Sequence, residues 1–285
     1  MPAEALIRQL SPQDQSELSF LINHAEYLYR HLDWRTSVDW LESEPFLGLE
    51  QHRKLVSALA CPKDETSIRW IRLFAFLNWN SDELESAWQN LFHQVQAGAV
   101  QKYQITCAAL GLSPWFTDLL LSSGFTHRQD IIVLLWEGVL PDDRPLPPEI
   151  RLRPMHPADL SEVAALDWAA FDPLWHQTQI ELEQALIQAA YATVAVMDGA
   201  IIGYQISTST PFHAHLARLA VHPELQRMSI GFAIVRELLE FFLARRVTHI
   251  TVNTQSDNYS SQRLYEKLGF HRTGEAFPVY TLPLS

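Results

Sequence analysis

The stretch His213-Ala-His-Leu-Ala-Arg-Leu-Ala-Val-His-Pro-Glu-Leu-Gln-Arg-Met-Ser-Ile-Gly-Phe-Ala233 decides how the rest of the chain is read. From His213 to Val221 it alternates, and it is apolar enough for a strand that runs into a core. Alternation places His213, His215, Ala217, Leu219 and Val221 on one face. Pro223 stops the strand, Gln226 to Gly231 predicts a tight turn, and helical periodicity sets in from Phe232. Strand, turn and helix start in that order aim backbone N–H groups and a positive helix end at one point, which suits an anion.

Outward from that stretch, 285 residues are long for one compact α/β unit and suit two of about 140 residues each. Apolar residues make up 47% and aromatics 11%, enough for two cores. The net charge of −12 argues against a nucleic-acid surface, which needs clustered Lys and Arg. Residues 1–149 hold 11 Lys+Arg against 20 Asp+Glu (−9), and residues 150–285 hold 10 against 13 (−3). Cys61 and Cys107 have no metal-ligand spacing and read as buried free thiols in a reducing compartment. The opening Met-Pro-Ala-Glu-Ala-Leu has no basic segment or apolar run, and no apolar run reaches the roughly 18 residues of a membrane span. A cytoplasmic location, with no membrane partner, is the expectation; monomer and homodimer both stay open.

The chain repeats itself. A shift of 145 residues pairs Arg8 with Arg153, Pro12 with Pro157, Asp14 with Asp159, Ser16 with Ser161 and Glu17 with Glu162. The same shift pairs Gly124-Phe125 with Gly269-Phe270, so one offset holds across most of each half and predicts a duplication. Between the halves, Leu140-Pro-Asp-Asp-Arg-Pro-Leu-Pro-Pro-Glu149 reads as a semi-rigid, polyproline-like linker. The expected domains are 1–142 and 150–285, joined by 143–149.

In the second half we expect a strand Ile150–Met155, helices Ala158–Phe171 and Thr178–Ala190, and a hairpin Ala192–Met197/Ala200–Thr208 turned by Asp198-Gly199. The strand and turn quoted above follow, then helix Gly231–Arg246, strand Thr248–Thr254, helix Asn258–Leu268 and strands near His271 and Ala276–Leu282. In the first half we expect strand Ala5–Leu10, a helix introduced by Ser11-Pro12, strand Ile68–Phe76, helix Asp82–Ala97, strand Gln101–Ala108 and helix Ser113–Ser122. The fold class is α/β (α+β), with a mixed sheet and flanking helices in each half.

Gln226-Arg227-Met228-Ser229-Ile230-Gly231, between strand and helix, resembles the acyl-CoA motif of the GNAT N-acetyltransferase superfamily, Gln/Arg-x-x-Gly-x-Gly/Ala. Leu219-Ala-Val-His-Pro-Glu-Leu225 before it is similar to the family's pattern, as are Asp257-Asn258 and Leu264-Tyr-Glu-Lys-Leu-Gly-Phe270 after it. The resemblance covers about 150–285 and implies two GNAT-like domains, each with a mixed, mostly antiparallel sheet flanked by helices. It implies acetyl-CoA as cofactor, its pyrophosphate held by the turn Gln226–Gly231 with Phe232 and Ala233. The backbone of Leu219, Ala220 and Val221 would lie along the pantetheine arm, in a slot opened by the splay from Thr248–Thr254, and Asn258 would hydrogen-bond the cofactor.

Ser229 departs from the motif's first glycine; it either costs about 1 kcal/mol if φ is positive or lends a hydroxyl to a phosphate. Asn258 also reads as a helix N-cap. Tyr265 stands where the family protonates the departing thiolate, a task that suits a neutral phenol, and also reads as a core aromatic.

The base is less determined. His215 stands where other members carry a glutamate or a histidine, and titrates near neutrality; His213 and water are alternatives. Where members that acetylate a ribosomal-protein alanine use a glutamate, this chain has Asn253, which argues against that activity. Shifted by 145 residues, Tyr265, Asn258, Gly231, Ala233 and His215 fall on Leu120, Ser113, Ser86, Trp88 and Trp70. The segment Asn78–Ser86 lacks glycine and carries three carboxylates that repel a pyrophosphate. Residues 1–142 are therefore expected to be a degenerate copy that walls the acceptor site.

The implied reaction is direct attack of a primary amine, on a small molecule or peptide, on acetyl-CoA in a ternary complex, with no metal. The alternative is a non-catalytic acyl-CoA-binding module. Trp168, Phe171, Trp175 and Tyr204 line an acceptor pocket or belong to the core.

Overall fold

The computed structural model describes residues 6–63, 67–78, 80–98 and 105–284; Ala5 and residues 101–104, where two expected strands begin, lie outside them. The chain forms two compact units. One comprises the chain up to Gln129 with the segment from Phe277 onward, the other Asp130–Ala276.

In the second unit, β9 (Ile150–Pro154) leads through a 3-10 turn into α4 (Leu160–Ala170), then α5 (Gln179–Gln188). The hairpin β10 (Tyr191–Met197) and β11 (Ala200–Ser209) follows, then β12 (His213–Val221), α6 (Ile230–Leu243), β13 (His249–Gln255), α7 (Tyr259–Lys267) and β14 (His271–Leu284). Positive φ at both Asp198 (51°) and Gly199 (85°) gives the mirror-image turn that matches strand twist. The sheet runs β8-β13-β12-β11-β10-β9, where β8 spans Thr126–Trp136. Every pairing is antiparallel except β12 with β13. Helix α6 lies across this sheet and buries Phe232, Val235, Leu238 and Leu239 against Ala214, Leu216, Ile250 and Val252.

The first unit has β1 (Leu6–Gln9), α1 (Gln15–His24), β2 (Tyr27–Arg30), β3 (Phe46–Gln51), β4 (Lys54–Ala60), β5 (Ile68–Trp70), β6 (Leu73–Phe76), α2 (Ser81–Ala97), β7 (Ile105–Leu110) and α3 (Pro114–Ser122). One sheet is ordered β1-β3-β4-β6-β2. Strand β5 pairs in parallel with β7, which pairs antiparallel with Val279–Leu284 of β14. The expected strand Ile68–Phe76 is two strands, because the chain changes partner in the middle. Ile71 N donates to Ala108 O of β7 at 2.9 Å, and Arg72 N to Ala60 O of β4 at 2.8 Å.

The duplication reaches individual hydrogen bonds. Arg8 pairs with Asp14 at 2.8 Å and Arg153 with Asp159 at 2.6 Å, while Ser11 N and His156 N each reach the same carboxylate at 2.8 Å. Helices α3 and α7 both end on a left-handed glycine, Gly124 (φ 88°) and Gly269 (φ 89°). Phe125 N then bonds Leu120 O, and Phe270 N bonds Tyr265 O, both at 3.0 Å. That is a Schellman cap, in which glycine alone avoids a Cβ penalty. By the same offset β8 is the counterpart of β14. Ile131–Gln255 through Trp136–Ile250 pair β8 with β13, so each half's last strand completes the opposite unit.

Candidate active site

The parting of β12 and β13 makes the cleft. Their parallel register runs from His213↔His249 to Leu216↔Val252 and stops there, five residues before β12 ends at Val221. A β-bulge sits at the same point. On β11, Ile206 faces Arg218 and Ser207 faces Leu216, leaving Ala217 as the extra residue. A bulge bends its strand and increases local twist, which carries Arg218–Val221 away from β13.

The bulge corrects the expected facing of the strand. Ala214 and Leu216 pack under α6, and beyond the bulge Leu219 and Val221 do too, against Ile230 and Ile234. An extra residue inverts the alternation, so His213 and His215 do not share a face with Leu219 and Val221. His222 N donates to Ile202 O of β11 at 2.9 Å. Counting back in twos, Ala220 turns its N–H to β11, and Leu219 and Val221 turn theirs to the parted edge. Val221 O on that edge accepts from Gln226 Nε2 at 3.3 Å.

The turn follows directly. Gln226, Arg227 and Met228 are exposed, Ser229, Gly231 and Ala233 half-buried, and Ile230 and Phe232 buried anchors. Arg227 (φ 69°) and Ser229 (φ 63°) are both left-handed, so the cost expected at Ser229 is incurred at two positions. Alternating handedness curls successive N–H groups toward one side, the geometry of an anion nest. The first N–H that α6 engages is that of Ala233, to Ser229 O at 3.0 Å; those of Ile230, Gly231 and Phe232 precede it and have no helical acceptor. Gly231 serves close packing, since a Cβ there would lie 3.2 Å from Leu264 Cδ2 and 3.6 Å from Val221 Cγ2. The linker supplies a group that sequence reading missed: Arg144 lies 4.6 Å over the Phe232 ring, an exposed cation beside the helix start. Replacing Ser229 by Gly should raise stability by up to about 1 kcal/mol, because glycine relieves the left-handed strain. Thermal unfolding checks this; an unchanged or lowered midpoint would show that the hydroxyl offsets the strain.

Tyr265 is fixed by the Schellman cap of α7, its ring 5.6 Å from that of Phe270. It is 4% exposed and packs with Ala214, Leu216, Phe232 and Val252 where β12 and β13 part. Burial raises its phenol well above the ordinary value, so the group stays protonated at neutral pH. Asn258 caps α7: Oδ1 accepts from Ser261 N at 3.1 Å, and Nδ2 donates to Gln255 Oε1 at 3.3 Å.

His215 Nδ1 lies 2.8 Å from Thr251 Oγ1, whose hydroxyl also reaches Ala214 O at 3.5 Å. In the tautomer where Nδ1–H donates to Thr251 Oγ1, Nε2 is the bare acceptor; in the other, Nδ1 accepts from the hydroxyl. Burial lowers the imidazole below its ordinary value, partly offset by the Thr251 contact. His213 is exposed, its ring 5.6 Å from that of His249. Asn253 is exposed on β13, past the end of the ladder with β12.

A buried ion pair at this end was not anticipated. Asp167 of α4, wholly buried, accepts from Arg218 Nε at 2.7 Å and Nη2 at 2.8 Å, from Gln177 N at 2.9 Å and from the Tyr204 hydroxyl. Tyr204 is thus a core residue with its hydroxyl engaged, whereas Trp168 is 50% exposed and lies tilted against the His176 ring, centroids 4.1 Å apart.

An acetyltransferase (GNAT) family model matches residues 160–270, the span that carries every group described above except Arg144. Residues 160–270 match the GNAT family. N-acetylaspartate synthetase of Danio rerio is 30% identical over 92 residues, 32% of this chain and 32% of that protein, so the chain matches about a third of that relative's length. A tandem GNAT protein from the clavulanic acid biosynthesis pathway superposes with a TM-score of 0.66 at 15% identity, covering 99% of each chain. A GCN5-related N-acetyltransferase from Sphaerobacter thermophilus does so with 0.62 at 16%, over 100% of this chain and 97% of that one. At such identities the likeness is one of fold, and it covers both halves.

The two halves differ at the parted edge and at the turn that follows it. Shifted by 145 residues, the turn Gln226–Ser229 falls on Ser81–Leu84, which is already the first turn of α2. Asn80 caps it, accepting from Asp82 N at 3.1 Å, and Asp82 and Glu83 occupy the helix start. Leu73–Phe76 of β6 correspond to Arg218–Val221, and they pair with β2: Tyr27↔Phe76, Leu28↔Ala75, Tyr29↔Phe74 and Arg30↔Leu73. The edge that in β12 parts from its neighbour is filled in the first half by the chain's own strand. Beside the carboxylates, the backbone positions themselves are taken. Trp88 and Leu120, the counterparts of Ala233 and Tyr265, are fully buried, and Trp88 Nε1 donates to Ser123 Oγ at 2.7 Å.

Proposed function

We propose that the second half is an acetyl-CoA-dependent N-acetyltransferase that moves an acetyl group to a primary amine, of a small molecule or peptide, by direct attack in a ternary complex. The observation that supports this most is the parted edge of β12, which lies between the unengaged N–H groups of the α6 start and the phenol of Tyr265. The residues fit acetyl-CoA: the left-handed nest from Arg227 to Phe232 suits a pyrophosphate, and Leu219 and Val221 offer strand hydrogen bonds to an amide-bearing arm. Bound acetyl-CoA would supply the activated acetyl group and a thiolate leaving group. His215 Nε2 takes the proton that an ammonium acceptor must lose before its nitrogen can attack. Tyr265 donates its proton to the thiolate. Asn258, engaged twice within the chain, serves by holding the start of α7.

Release of CoA thiol, followed with a thiol-reactive dye across a panel of primary amines, tests the reading. Amine-dependent release is expected. Acetyl-CoA binding by calorimetry without release for any amine would leave a non-catalytic acyl-CoA-binding module, and no binding heat would exclude both.

A further inference from the structure

The Asp167–Arg218 pair takes no part in these proton transfers, yet burying two ions is costly unless every lone pair and proton finds a partner. Here the carboxylate is saturated by four donors, two from Arg218, one from Tyr204 and one from Gln177 N. Arg218 Nη2 also donates to Trp175 O at 2.5 Å, and its guanidinium lies 3.6 Å over the Phe171 ring. The pair therefore grips the segment between α4 and α5 at three points: the Phe171 ring, the Trp175 carbonyl and the Gln177 N–H.

The other end of the grip is the bulge. Arg218 follows Ala217, and in an unbulged strand it would share the face of Ala214 and Leu216, placing a guanidinium in the apolar core under α6. The pair forms only in the bulged register, and that register keeps the charge out of the core.

We propose that Arg218 is a positioning residue, which ties the bulged register of β12 to the Phe171–Thr178 segment and so sets the acceptor end of the cleft. This rests on the acetyl-transfer reading. The segment carries two hydrogen-bond acceptors without a donor. His176 gives Nε2–H to Phe171 O at 2.9 Å, which leaves Nδ1 bare and buried, and Gln177 Oε1 is buried likewise.

The test uses the full chain with Asp167→Asn/Arg218→Met, which removes both charges, keeps an acceptor for Gln177 N and leaves no lone buried ion. A second variant, Arg218→Lys, keeps the charge and loses the planar fork. Hydrogen exchange at residues 171–178 should speed up on the order of tenfold or more, while residues 226–233 stay protected. KM for the best amine should rise on the order of tenfold, from a small displacement of the segment, with KM for acetyl-CoA unchanged. Arg218→Lys should change both in the same direction and by less, and it decides the matter if the double variant does not fold. Unchanged exchange at 171–178, or equal rises in both KM values, would overturn the proposal. If wild type turns over no amine, the acetyl-transfer reading fails, and the exchange measurement alone decides the role of Arg218.

Discussion

Tyr265→Phe is expected to lower kcat by about 10²- to 10³-fold, the range of a lost general acid, with acetyl-CoA binding and fold intact. The separation follows from how the residue is held. Its ring, 4% exposed, fills the core beneath α6 and makes the hydrophobic contact of the α7 cap with Phe270. Phenylalanine keeps all of that. Among the described residues the hydroxyl makes no hydrogen bond, so its removal is expected to touch the chemistry and spare the packing. Burial holds the phenol well above its ordinary ionisation range, so wild-type kcat should show no alkaline loss from this group up to at least about pH 10. Thiol release by the two proteins, with calorimetric titration of acetyl-CoA into each, checks both parts. A Phe variant that kept wild-type kcat would assign Tyr265 to the core alone.

His215→Gln should cost about 10²-fold in kcat/KM for the amine and change the shape of the pH profile. Burial disfavours the imidazolium, so the pKa is lowered from 6.5, with Thr251 opposing in part. In wild type a limb should therefore rise through a midpoint below 6.5. Glutamine cannot titrate, so the variant should lack that limb, while any limb from the acceptor's own ammonium appears in both proteins. The stability consequence has a definite sign. A depressed folded-state pKa means that the unfolded chain binds the proton more readily, so stability is fully present above 6.5 and is lost as pH falls through that value toward the folded-state pKa. Chemical denaturation of wild type and variant across the acid range should show a shallower acid loss in the variant. Identical pH profiles in the two proteins would pass the base to His213 or water.

What sequence alone determined is what neighbours along the chain decide. The strand His213–Val221, the Asp198-Gly199 turn, the Ser11 and Gly269 boundaries and the acyl-CoA-like turn rest on periodicity, capping and turn chemistry within a few residues. The repeat was legible because it is a comparison of letters, and the shared Arg–Asp contacts and glycine caps are its physical content. Ser229 was legible as a departure from glycine, whereas the left-handed backbone at Arg227 left no mark on the residue type.

Tertiary structure decided whatever depends on a distant partner. The bulge at Ala217 exists through pairing with β11 and through an ion pair spanning 51 residues. Because strand faces alternate, that one extra residue reversed the relation between His215 and Leu219. In the first half, β2 pairs across more than forty residues with β6, and no local pattern announces that a strand will take the edge. Each half's last strand also pairs into the opposite unit, since a strand's own residues specify an edge to be paired and not which edge. Local rules placed the turn and the phenol; long-range pairing decided that only one half kept an open edge between them.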